Sequence, residues 1–172
     1  HGPWMPDGDW EQKLIDYPEH FAGAAEVLNY VVHPTGAAAR PKLMNALAQS
    51  LLWFHEACRD DTTLMAIVKF SASLDALACG TQESGIRELL KARLGLEDQS
   101  PIRADGLSLE KAVHLVYSDA RSRTVHGTND KLAHDWSDVR GLAEQLARYG
   151  LTASLHWVAD NPADDEPKKL RA

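Results

Sequence analysis

Between residues 117 and 127 the chain reads Tyr-Ser-Asp-Ala-Arg-Ser-Arg-Thr-Val-His-Gly, which holds the residue types that phosphate chemistry needs. Arg121 is separated from His126 by four residues. A His side chain gives and takes protons near neutral pH. An Arg presents a fixed fork of donors to phosphate oxygens. Together they suit a reaction at a phosphate, with a proton to move and a developing charge to stabilise. Loss of one preorganised donor at such a developing charge typically costs roughly 10²–10³ in rate.

Helical spacing constrains how these groups meet. At about 100° per residue, Arg121 and His126 lie roughly 140° apart on a straight α-helix and share no face. Asp119, Ser122 and His126 do share one, at i, i+3 and i+7. Arg121 joins them through its long side chain, a kink, or a helix end near Gly127. A second chain related by a two-fold axis can also bring its own Arg and His, which makes the site composite. A plainer reading has Arg121 and Arg123 paired with Asp119 or solvent, where ion pairs are worth little. His126 before a glycine then serves only the helix C-terminus.

Other candidates carry less. His55-Glu56 lacks a second His at metalloprotease spacing, because position 59 is Arg. His126 and His134 have only a polar loop between them and no Cys nearby, so no zinc site is expected. His20, His33, His114 and His156 read as surface or locally bonded residues. No Gly-rich phosphate loop precedes a Lys-Ser/Thr pair, and no nucleophile elbow surrounds Ser122. The two cysteines, Cys58 and Cys79, fall in apolar patterns and are expected to be buried. Asn129, Asp130 and Lys131 follow the motif in a polar loop that either shapes access or is simply solvated. Neither a metal nor a cofactor is expected.

The elements that must position Arg121 and His126 are helical. A loose lead-in covers 1–16, where Trp4 and Trp10 are free to dock; a helical domain spans 17–158; a charged tail, expected to fray, fills 159–172. Pro18 opens a helix to about Val31, with Phe21, Ala25, Leu28 and Val32 as its apolar stripe, and His33-Pro34-Thr35-Gly36 stops it. Pro41 opens the next, with Leu43, Leu47, Leu51 and Phe54 on one face. Asp60-Asp61-Thr62 turns the chain into a further helix carrying Leu64, Ile67, Val68, Leu74 and Leu77, ended by Gly80. The two form an antiparallel hairpin. Thr81 and Gly95 bound a shorter helix over 82–94. Ser108 caps the helix that carries the motif, and Gly127 ends it. Asp135 or Ser137 caps the last, over 137–158. No period-2 alternation and no repeat occurs. The fold class is all-α, a bundle of about five to six helices.

At Arg121, Ser122, His126 and Gly127 the sequence resembles the HEPN superfamily, whose signature is an Arg, four to six residues, then a His late in a helical bundle. The nearer likeness is to ApeA-like HEPN domains, with a pattern of approximately Y-x-x-R-S-x-x-x-H-G. Tyr117 matches with its spacing slipped by one, and the other four residues match directly. The hairpin ending Ser73-Leu74-Asp75-Ala76-Leu77 is similar to the family's paired helices, although Glu more often stands where Asp75 does. The segment WSDVRGLAEQLARYGL after the motif is also similar, so the resemblance covers about 40–158.

The resemblance implies a HEPN-like fold and a metal-independent endoribonuclease, usually a homodimer. It leaves 2′,3′-cyclic phosphate and 5′-hydroxyl ends on RNA, tRNA among the candidate substrates. It further implies a role in toxin or anti-phage defence, with an antitoxin or a fused sensor domain as partner. His126 would be the general acid/base, Arg121 the phosphate clamp and Ser122 an orienting group. Asp119, Arg123, Tyr117 and Asp75 would support them.

The formal charge of −7 excludes a generic duplex-coating protein. No aromatic-rich basic surface is legible to read exposed bases. No apolar run is long enough to span a membrane and no signal peptide opens the chain, so a cytoplasmic location is expected. The first residue is His1 rather than Met, which fits a fragment, a processed chain or an engineered start. Two functions therefore stay open: the ribonuclease, and a non-catalytic HEPN module of a larger protein that binds a nucleotide or another protein.

Overall fold

The structure is a computed structural model that describes residues 15–16, 18–33 and 39–172. Apart from Ile15 and Asp16, the expected lead-in lies outside the described residues, as do positions 34–36 and the side chain of His20. Six helices follow in order: α1 Pro18–Val32, α2 Pro41–Cys58, α3 Thr63–Leu77, α4 Gln82–Leu94, α5 over 109–125, and α6 Ser137–Asp160. A short 3₁₀ turn, Pro167–Arg171, ends the chain. No strand occurs among the described residues, so the all-α expectation holds.

Helices α2 and α3 form the expected antiparallel hairpin. Leu43, Leu47, Ile67, Phe70 and Leu74 are buried between them and the rest of the bundle. Phe54 meets Phe70 edge-on, with ring centroids 5.4 Å apart. The hydroxyls of Ser50 and Ser73 pair at 2.9 Å, and Ser73 also donates to the Ser50 carbonyl, so these buried polar atoms are satisfied. Helix α6 packs along the hairpin through Leu142, Leu146, Leu151 and Leu155.

Three expectations are corrected. The apolar stripe of α1 is rotated: Leu28 and Val32 are exposed, while Gly23 and Val27 are buried. Gly23 sets this face, because a Cβ there would lie 2.9 Å from the Leu155 carbonyl oxygen. The absent side chain lets α1 approach α6 closely. Second, neither cysteine is buried as expected. Cys58 is exposed at the end of α2, and half-buried Cys79 lies beyond α3 in a left-handed conformation.

Third, the C-terminal tail does not fray. Leu170 is fully buried, Arg171 pairs with Glu88 at 2.7 Å, and Arg93 donates to the Ala172 carbonyl. Asp165 Oδ1 accepts from the backbone N–H groups of Lys42 and Leu43, at 2.8 and 3.0 Å. Helix α2 begins at a proline and has no side-chain cap of its own, so the tail supplies it. Buried Arg40 completes the tie, donating to Glu26 and to the carbonyls of Val158 and Asn161. Among the described residues no single helix is long and apolar enough to cross a membrane.

Candidate functional site

The motif sits on α5, which changes geometry along its length. Ser108 caps it, its hydroxyl accepting from the Lys111 N–H. The backbone is α-helical over Leu109–His114, widens to a π-helix over Leu115–Ser122, and returns to α over Arg123–Val125. Gly127 at φ +69° ends it, as expected. A π stretch exchanges i→i+4 bonds for i→i+5 bonds and is frequent at functional sites. Period-3.6 reasoning could not find it.

The widened stretch buries Val116, Tyr117 and Ala120, and leaves Arg121 half-buried. The Arg121 guanidinium lies over the Tyr117 ring, 4.8 Å from its centroid. Burial pushes the Tyr117 phenol above its ordinary value; Asp75 pushes the same way and Arg121 opposes. No carboxylate lies within ion-pair distance of Arg121 among the described residues.

Arg121 opens into a cleft of about 420 Å³ between α2, α3 and the tail. Ala46, Ala72 and Ala76 line it, and their small side chains leave the space. Lys42, Asn45, Gln49 and Trp53 come to it from α2, Asp75 from α3 and Pro167 from the tail. Asp75 has a structural task as well, since its Oδ1 accepts from the Gln82 N–H at 2.9 Å and starts α4. The four α2 residues escaped sequence reasoning because polar residues at helical spacing read as a solvated face.

The remaining predicted residues do not converge on that cleft. The Asp119 carboxylate pairs with Arg123 at 3.1 Å, and Asp119 lines a different depression with Glu83, Glu110 and His114. No hydrogen bond joins Asp119 to His126 among the described residues, although the spacing placed them on one face. Arg123 lies 3.9 Å from Asp130 as well. Ser122 is half-buried, its hydroxyl without a bonding partner among the described residues. His126 is exposed at the helix end, where its backbone N–H donates to the Ser122 carbonyl. Its ring has no partner among the described residues and does not line the Arg121 cleft.

The loop after the motif is tied in place. Asn129 donates to the Thr124 hydroxyl at 2.9 Å and accepts from the Lys131 N–H. His134 packs edge-on against Trp136. Among the described residues, no three of His, Cys, Asp and Glu gather as a metal site would require.

The chain matches no family model, no curated protein and no solved structure.

Proposed function

We propose that this chain is a metal-independent endoribonuclease of the HEPN type that acts as a homodimer. The observation that carries the reading is Arg121: a guanidinium held over an aromatic ring, with no carboxylate at ion-pair distance among the described residues, and facing a cleft, lined also by Asp75, large enough for a nucleotide. Such a group is available to phosphate oxygens. In this reading Arg121 binds the scissile phosphate and offsets charge as the 2′-hydroxyl attacks. His126 takes the proton of that hydroxyl or delivers one to the leaving 5′-oxygen. Ser122 orients substrate or imidazole, while Arg123, its charge offset by Asp119 at 3.1 Å, stands outside the cleft.

Because His126 lies outside the cleft of its own chain, the reading places the working pair across a two-fold axis. Val125, next to His126 in the chain, is 54% exposed, and Leu132 in the following loop is 68% exposed. A second copy packed there would cover both. The roles in toxin or anti-phage defence, and an antitoxin or sensor partner, rest on the sequence resemblance alone.

One observation favours the second reading, a non-catalytic nucleotide- or protein-binding module. Asp119 pairs with Arg123, and the His126 ring has no partner to orient it among the described residues. A single experiment separates the two. Purified wild type and His126→Ala are incubated in EDTA with total tRNA and with a long single-stranded RNA. Cleavage by wild type alone, leaving 2′,3′-cyclic phosphate ends, supports the ribonuclease. A folded, dimeric wild type that cuts neither RNA favours the binding module.

A further inference from the structure

We propose that the outer face of α2, formed by Lys42, Asn45, Gln49 and Trp53, is the wall along which a single-stranded RNA segment lies, with its phosphate on Arg121. This rests on the ribonuclease reading for its ligand, and adds the residues that hold the strand.

The four residues stand at i, i+3, i+7 and i+11, which puts them on one side of the helix. All four are exposed, and all four line the cleft that Arg121 opens into. An ordinary solvated face would be mostly charged; this one has a single cation, two amides and an indole that is 40% exposed. An exposed Trp beside a polar cleft is a stacking platform, and every base has a face to stack on it. Asn and Gln each carry donors and an acceptor, which suit base edges and the 2′-hydroxyl. Lys42 and Arg121 are the cations available for phosphates.

Dimensions favour a single strand. Trp53 stands eleven positions after Lys42 in the chain. That is about 16 Å along a helix axis, room for several nucleotides at roughly 3.4 Å per stacked unit. The cleft volume falls within the usual range for small-ligand sites, about 300–1,000 Å³, enough for one nucleotide but not a duplex. Stacking on an indole also requires a base already free of its own helix.

The test uses fluorescence anisotropy with a labelled twelve-nucleotide single-stranded RNA of mixed sequence. The parent protein is His126→Ala, so that the probe stays intact. Adding Trp53→Leu, which keeps apolar bulk without a ring, should weaken binding by roughly 5- to 100-fold. Adding Trp53→Phe instead should restore most of it. Adding Asn45→Ala with Gln49→Ala should reduce the preference for RNA over DNA of the same sequence. Thermal melting of each variant should match the parent, since these side chains are exposed.

Binding that does not change in Trp53→Leu, or no binding by the parent at all, overturns the proposal. If wild type still cleaves RNA in that case, the ribonuclease reading stands without this wall. Trp53-dependent binding by a wild type that never cleaves would retain the wall and remove the ribonuclease.

Discussion

The guanidinium of Arg121 rests 4.8 Å from the centroid of the Tyr117 ring, and that ring is only 6% exposed. A buried ring cannot follow the cation, so the ring fixes where the charge sits. A cation on an aromatic face is worth about 0.5–2 kcal/mol, or roughly 2- to 30-fold. Tyr117→Leu should therefore lower kcat/KM for RNA cleavage by about that factor. Tyr117→Phe keeps the face and should stay near wild type. Equal losses in the two variants would mean that the hydroxyl matters and the stacking does not.

Asp165 is predicted to stabilise α2 from the far end of the chain. Its carboxylate receives two N–H groups at the helix start, where no local side chain does so. Removing such a cap costs about 0.5–2 kcal/mol. Asp165→Ala should lower the melting temperature by roughly 1–8 °C, and Asp165→Asn, which keeps an acceptor, should lose less. Differential scanning calorimetry of the three proteins checks this. Identical melting curves would show that the tail is not docked in solution.

Leu170 gives an independent check on the same segment. It is fully buried, although it lies two residues from the end. Truncating a buried leucine to alanine costs about 2–5 kcal/mol. Leu170→Ala should therefore shift the urea midpoint strongly, whereas a fraying end would leave it unmoved.

Most of the bundle was legible because its boundaries rest on local chemistry. Pro18 and Pro41 open helices, Ser108 caps one, and Gly95 and Gly127 adopt the left-handed conformation that closes others. What was not legible depends on long-range contacts. α1 carries apolar residues on several sides, so its own pattern could not choose a face; the close approach at Gly23 does. The tail looked like a solvated charged segment, yet Leu170 and Asp165 each find a partner far away in sequence. Within the site, the Tyr117 and Arg121 pair follows from i, i+4 spacing, but the π widening beneath it does not. The face expected for Asp119, Ser122 and His126 assumed no competing partner, and Arg123 competes for Asp119. The α2 wall was missed because polar residues at helical spacing say nothing about whether a cleft stands beside them.

Asp60 makes the stability of the α2–α3 turn sensitive to pH. Its carboxylate bonds Lys69 at 2.7 Å and the Thr62 N–H at 2.8 Å, while its backbone carbonyl accepts from Arg140 of α6 at 3.0 Å. The Lys69 bond first, and the Thr62 N–H second, hold this carboxyl below its ordinary value of 3.8. The folded state thus binds the proton less readily than the unfolded chain. The stabilisation is fully present above the unfolded value and is lost as pH falls through the folded one. Asp60→Asn should therefore lower the denaturant midpoint at pH 7. The gap from wild type should close as pH drops below 3.8, where the wild-type carboxyl becomes protonated. Urea titrations at pH 7, at pH 5 and at the lowest pH where wild type folds measure that gap. A gap that stays constant across the series would show that the carboxylate's charge does not stabilise the turn.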